Sequence, residues 1–149
     1  MKFSFSSSFT RLTIFVLLAV LLVSFGGRLV TIADATDACT GWPLCEPQGV
    51  LGWIQLLHRA SVGFASALMI YLLHRAWRDM RDHRILLPLS TLTVILFFAQ
   101  AFVGAMEVTR GFPRYLAVMH TLTGILSWGS LLGLVLASAF LARETVAFP

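Results

Sequence analysis

The sequence predicts an all-α integral membrane protein: an antiparallel bundle of four transmembrane helices in which residues 1–149 form a single domain. Three observations predict it. Apolar residues make up 58% of the chain and give a mean hydropathy of +0.84, well above a soluble domain's composition. Charged residues amount to only 12% and gather in short clusters between apolar runs. Each run reaches the roughly 20 residues needed to cross a hydrocarbon core about 30 Å thick.

Met1 to Arg11 is a basic lead rich in Ser and Phe, and residues 12–30 are the first span. A basic start and an apolar centre also suit a cleaved signal peptide. No small-x-small site follows Val23, however, and Gly26-Gly27 runs on into apolar sequence, so a retained helix is expected. Residues 31–50 form a polar loop with Asp34, Asp37, Cys39, Trp42, Pro43, Cys45 and Pro47. The second span covers 51–73, and an arginine-rich turn occupies 74–84. The third span, 85–106, has Pro88 in its first turn, where the missing N–H costs little. Gly111 and Pro113 break the chain before the fourth span at 115–142, and the tail from Arg143 is too short to fold alone. Short connections between spans imply an up-down-up-down course. Small residues such as Gly63, Ala65, Gly124 and Ser127 let helices approach closely in lipid and leave room for a flat ligand.

The net charge of +4 raises nucleic acid as a partner, but its placement argues for membrane topology instead. Arg75, Arg78, Arg81 and Arg84 crowd one interhelical turn, Lys2 and Arg11 precede the first span, and Arg143 follows the last. The remaining loops hold only Arg28, Arg110 and Arg114. This bias places both termini and the middle turn in the cytoplasm of a cell membrane, with the Cys39–Cys45 loop outside. Anionic lipid is then the expected contact, and nucleic acid is not.

Polar groups inside a bilayer are costly and mark function, and the second span carries three of them: Gln55, His58 and Arg59. A further histidine, His120, lies at a similar depth in the fourth span, at about 1.5 Å rise per residue. Either histidine alone reads equally well as a hydrogen-bonded buried residue. Two at one depth, in spans expected to be neighbours, favour axial ligands of a haem iron. His74 and His83, in the arginine-rich turn, read as solvated residues. Arg59 points about 100° away from His58 around the helix, free to snorkel outward or to pair with an anionic group such as a haem propionate. Gln100 reads as an interhelical hydrogen-bonding group. Glu107 is the one acid placed near the histidines, and no catalytic residue is assigned beyond Gln55 and Glu107 as candidates.

Cys39 and Cys45, outside the cytoplasm, argue for a disulfide. So short a loop gains only about 2–3 kcal/mol in the chain-entropy account, which leaves room for a redox or docking role. Two cysteines without a nearby histidine do not complete a zinc site. A phosphate-cradling glycine loop, a Ser-His-Asp arrangement and paired carboxylates are all lacking in the sequence, so hydrolytic chemistry has no support.

These residues together resemble the haem A synthase family. Cys39-Thr-Gly-Trp42-Pro43-Leu44-Cys45 is similar to that family's Cys-x-x-Trp-Pro-x-Cys loop, and His58-Arg59 to its second-helix His-Arg. Gln100-Ala-Phe-Val-Gly104-Ala105-Met-Glu-Val108 resembles its third-helix Gln-x-x-x-Gly-Ala-x-x-Val, and His120 takes the place of its fourth-helix histidine. The resemblance runs from Gly26 to about Ala142. It implies a haem-binding four-helix bundle, with haem b or haem O/A as ligand and His58 and His120 on the iron. The implied reaction oxidises a methyl group of haem O to the formyl of haem A for terminal oxidases. Family members usually join two such bundles, which implies here a homodimer or a partner membrane subunit. Gln55 stands where the family's substrate-binding half has a glutamate, and Glu107 is the remaining candidate acid. Two other functions fit the same residues. One is a non-enzymatic haem carrier or b-type electron-transfer subunit; the other is a haem-free structural subunit of a larger membrane complex.

Overall fold

The computed structural model describes residues 3–147, with side chains from 8 to 142. Lys2 and the side chain of Arg143, both part of the charge pattern, lie outside the described residues. Four helices account for most of the chain: α1 (Phe3–Ile32), α2 (Gly49–Asp79), α3 (Leu86–Thr109) and α4 (Arg114–Ala147). All four are long and apolar enough to cross a membrane, and no strand occurs among the described residues.

The helices outrun their apolar spans. From Phe3 onward the basic lead is already helical in α1, and residues 74–79, expected within the arginine-rich turn, prolong α2 to Asp79. An ion-paired cluster favours that extension. Asp79 receives Arg75 Nε at 2.5 Å, one helical turn away, and Arg78 Nε at 2.8 Å. Polar residues at a span's end need not break a helix when they neutralise one another. His83, expected to be merely solvated, sits at the start of α3, where its Nδ1 accepts the Leu86 N–H at 3.4 Å.

Two helices stop by the same device. At the end of α1 the Ala35 N–H reaches back to the Val30 carbonyl (2.9 Å) and the Asp34 N–H to Thr31 (3.3 Å). At the end of α3 Phe112 N–H bonds Glu107 (2.8 Å) and Gly111 N–H bonds Val108 (3.4 Å). Both are Schellman closures, which need a left-handed residue at the pivot. Gly111 supplies it at φ 71°, and Asp34 does so at φ 54°, a conformation that short polar side chains tolerate.

Each helix packs on two others, α1 on α2 and α4, and α3 on α2 and α4, while among the described residues neither diagonal pair brings its backbones close together. Spans two and four, expected to be neighbours, therefore face each other across the diagonal. The reason lies in the connections. α4 follows α3 after only residues 110–113 and packs tightly on it, then completes the ring by packing on α1.

The apolar core is concentrated at one end. It joins Phe9, Val16 and Val20 of α1 with Met69, Leu72 and Ala76 of α2, Leu86, Val94 and Phe97 of α3, and Leu131 and Leu134 of α4. In lipid such packing works through van der Waals contact rather than expulsion of water. A buried pair of hydroxyls, Thr13 Oγ1 and Ser138 Oγ at 3.2 Å, ties α1 to α4 in the same region. The histidines lie at the edge of this core, where glycines and polar side chains join buried apolar residues such as Val103 and Leu116.

Candidate haem site

On α2, Gln55, His58 and Arg59 occupy positions i, i+3 and i+4, and so share one side of the helix. They nevertheless serve two surfaces. Gln55 and Arg59 hold the α1–α2 loop, residues 33–48. Gln55, buried with 3% of its surface exposed, donates through Nε2 to the Thr36 carbonyl at 2.7 Å. The Arg59 guanidinium donates to the carbonyls of Cys39 (2.5 Å) and Gly41, and lies 5.8 Å from the centre of the Trp42 ring. The loop's own carbonyls engage the two terminal nitrogens of Arg59, while its buried Nε has no hydrogen-bond partner among the described residues.

His58 turns inward against α1. A Cβ placed on Gly27 would lie 3.1 Å from the His58 Cε1 and 3.5 Å from its Nε2, and one on Gly26 would lie 3.4 Å from Nδ1. The imidazole fits because those two positions carry no side chain. Its Nδ1 is buried beside the Val23 carbonyl of α1 without a hydrogen bond of normal geometry. A nitrogen so weakly paired at that depth is costly.

His120 is held differently. Its Nδ1 lies 3.0 Å from the main-chain carbonyl of Gln100 on α3. A carbonyl only accepts, so Nδ1 carries the proton and Nε2 keeps its lone pair. The ring reaches that carbonyl over Gly104, where a Cβ would stand 2.9 Å from the His120 Cε1. His58 and His120 then line one small cavity together with Val20, Val23, Phe97 and Gln100. All four helices contribute to it. Its volume is about 20 Å³, enough for about one water, so seating a porphyrin requires the helices to part around the imidazoles.

The donor set fits a haem nonetheless. Two imidazoles face one interior space from opposite helices, one held through Nδ1 by the Gln100 carbonyl and the other beside the Val23 carbonyl without a hydrogen bond of normal geometry. The glycines beside both rings leave flat space along them. Among the described residues no group of three or more His, Cys, Asp or Glu side chains could hold a bare metal ion, whereas a porphyrin brings its own four equatorial nitrogens.

The other candidates lie elsewhere. Glu107, near the end of α3, is partly exposed and does not line the cavity. Cys39 and Cys45 sit side by side with Cα atoms 5.6 Å apart, the separation a disulfide spans. Gly26, Gly27 and the Gln100 carbonyl were not identifiable as site groups from residue type alone, and Gly124 stood out only as one small residue among several. The signal that could have singled out Gln100 and Gly124 is a repeated spacing: Gln100 and Gly104 on α3, His120 and Gly124 on α4, each pair on one helix face.

No family model matches the chain. Proteins named heme A synthase do resemble it. That of Listeria welshimeri is 30% identical over 132 residues, covering 83% of this chain and 43% of its own length. That of Geobacillus thermodenitrificans is 32% identical over 125 residues, covering 79% and 39%. That of Staphylococcus haemolyticus is 29% identical over 132 residues, covering 84% and 43%. The chain therefore spans about two-fifths of the length of the curated relatives it matches. Over some four-fifths of its own residues this integral membrane chain is similar to proteins named heme A synthase.

Proposed function

We propose that the chain binds haem between His58 and His120 and serves the conversion of haem O to haem A. The observation that carries this reading is the pair of imidazoles, one from α2 and one from α4, lining a single interior cavity. The relatives' printed name supports the reaction. Bound here, a haem supplies the iron redox chemistry by which a methyl group of haem O is oxidised to a formyl. The chain's own residues would hold and orient it: His58 and His120 through their imidazoles, the Gln100 carbonyl by fixing the tautomer of His120, and Gly26, Gly27 and Gly104 by keeping the flanks of the rings open. Arg59 and Gln55 keep the α1–α2 loop closed over this end of the bundle.

The remaining features of the reading belong to the same proposal. The helices run antiparallel, which the short α2–α3 and α3–α4 connections support. So does a core joining the early part of α1 and α3 to the late part of α2 and α4. The arginine-rich end then faces the cytoplasm of the cell membrane with both termini, and Cys39 and Cys45 form a disulfide outside. A homodimer or a partner membrane subunit supplies the second bundle that the relatives' length suggests.

The test is a reduced-minus-oxidised optical spectrum with pyridine haemochrome extraction, on detergent-purified protein and on His58→Ala and His120→Ala. The expected result is a bis-histidine spectrum that both substitutions abolish, together with haem O to haem A conversion when reductant and oxygen are supplied. Haem that binds without conversion selects the second reading, a haem carrier or b-type electron-transfer subunit. Gln55 favours that reading, because an amide whose Nε2 donates to the Thr36 carbonyl offers no acid. A wild type that stays colourless after haem loading leaves the haem-free structural subunit.

A further inference from the structure

The contact between α3 and α4 is a reciprocal exchange. The His120 ring of α4 lies over Gly104 of α3, where a Cβ would stand 2.9 Å from its Cε1 and 3.2 Å from its Nδ1. The Gln100 amide of α3 lies over Gly124 of α4, where a Cβ would stand 3.0 Å from its Nε2 and 3.4 Å from its Cδ. Each helix offers one long polar side chain and, four residues later, one missing side chain. Because i and i+4 share a face, each helix places its knob beside its own notch, and the two helices interlock in one register. The main-chain carbonyl of Gln100 then falls 3.0 Å from the His120 Nδ1. An α-helix pairs that carbonyl with the N–H of residue 104, and its second lone pair remains for the imidazole.

We propose that Gly104 and Gly124 are positioning residues that set the register of α3 on α4, so that the Gln100 carbonyl locks His120 as the Nδ1–H tautomer with Nε2 presented to the cavity. The lock holds whether or not a ligand is present. Its use in orienting an iron ligand rests on the haem reading above. Gly104 and Gly124 leave open the two places where the facing His120 ring and Gln100 amide seat. Gly129 and Gly133, further along α4, meet nothing within 4 Å of an added Cβ and take no part.

The decisive measurement is ¹⁵N NMR of histidine-labelled protein in lipid nanodiscs, in alkaline buffer and without added haem. The His120 resonance is assigned by its loss in His120→Ala. Wild type and Gly133→Ala are expected to show the Nδ1–H tautomer of His120. In Gly104→Ala the ring must leave the carbonyl, and that signature is expected to vanish; in Gly124→Ala the shifted register is expected to mix the two tautomers. Circular dichroism must show the variants still helical, and the wild-type tautomer decides the question even if one variant does not fold. An Nε2–H ring in the wild type, or a Gly104→Ala spectrum matching the wild type, overturns the proposal. Haem titration of the same samples reads the other layer, with Gly104→Ala expected to bind about 10–100-fold more weakly than Gly133→Ala, as for other groups that orient a metal ligand. A locked tautomer in a protein that takes up no haem supports the positioning role and refutes the haem reading alone.

Discussion

Removing the Arg59 guanidinium should free the α1–α2 loop without unfolding the bundle. In Arg59→Met the side chain keeps its stem but loses the donors to the carbonyls of Cys39 and Gly41 and the stacking on Trp42. A hydrogen bond from a charged donor is worth about 1.5–3 kcal/mol, and a cation–π contact at an exposed site about 0.5–1 kcal/mol. Arg59 is only partly buried and Trp42 is half exposed. The low end applies, and two such bonds with the ring contact come to about 3.5 kcal/mol. At tenfold per 1.4 kcal/mol this is roughly a 300-fold rise in the open population of the loop. Hydrogen exchange followed by mass spectrometry should show that increase for the amides of residues 38–46, with the core amides of α3 unchanged. Arg59→Lys should recover little of the protection, because a single ammonium cannot reproduce a fork directed at two carbonyls. Equal exchange in wild type and Arg59→Met would mean that the loop is held by its own turns, and the argument from the clamp would fail.

Three further outcomes follow from named contacts. Gly27→Val should push into the His58 ring and weaken haem retention about tenfold or more in a dilution assay, while Gly63→Ala, where an added Cβ meets nothing, should not. Gln55→Leu leaves the Thr36 carbonyl without its donor and should destabilise the protein by about 1–2 kcal/mol in a detergent unfolding assay. Gln55→Glu, as a carboxylate, also loses that bond; it should raise haem O conversion if an acid at 55 limits the reaction, and leave a carrier unaffected. Thr13→Val with Ser138→Ala in a double-mutant cycle should return a coupling of about 0.6 kcal/mol, the size usual for hydroxyl pairs between membrane helices.

Hydropathy made the four spans legible, because a bilayer demands length and apolarity and little else. The shared depth of His58 and His120 followed from spacing alone. Which helices would be diagonal did not, since ring order depends on how α4 closes against α1, and no periodicity encodes that. The end of α2 was misplaced because Arg75, Arg78 and Asp79 read as a loop until their pairing is seen. The direction of Arg59 was open because its acceptors are main-chain carbonyls, which every residue possesses and no composition reveals. The same holds for the Gln100 carbonyl that receives His120. Glycines beside the rings carried their meaning only through what an absent Cβ would strike.

The uneven filling of the bundle has a mechanical consequence. Phe9, Met69, Leu72, Leu131 and Leu134 clamp one end with fully buried side chains, while the end bearing the histidines holds a cavity, bare glycines and a loop fastened by Gln55 and Arg59. Spreading the helices at the clamped end would tear apart many interlocked side chains at once, because a tightly packed interior has two arrangements rather than a gradual give. Spreading them at the other end costs little more than the loop fastenings. The molecule is built like a tweezer, with a stiff pivot at the packed end and compliant tips that carry the two imidazoles.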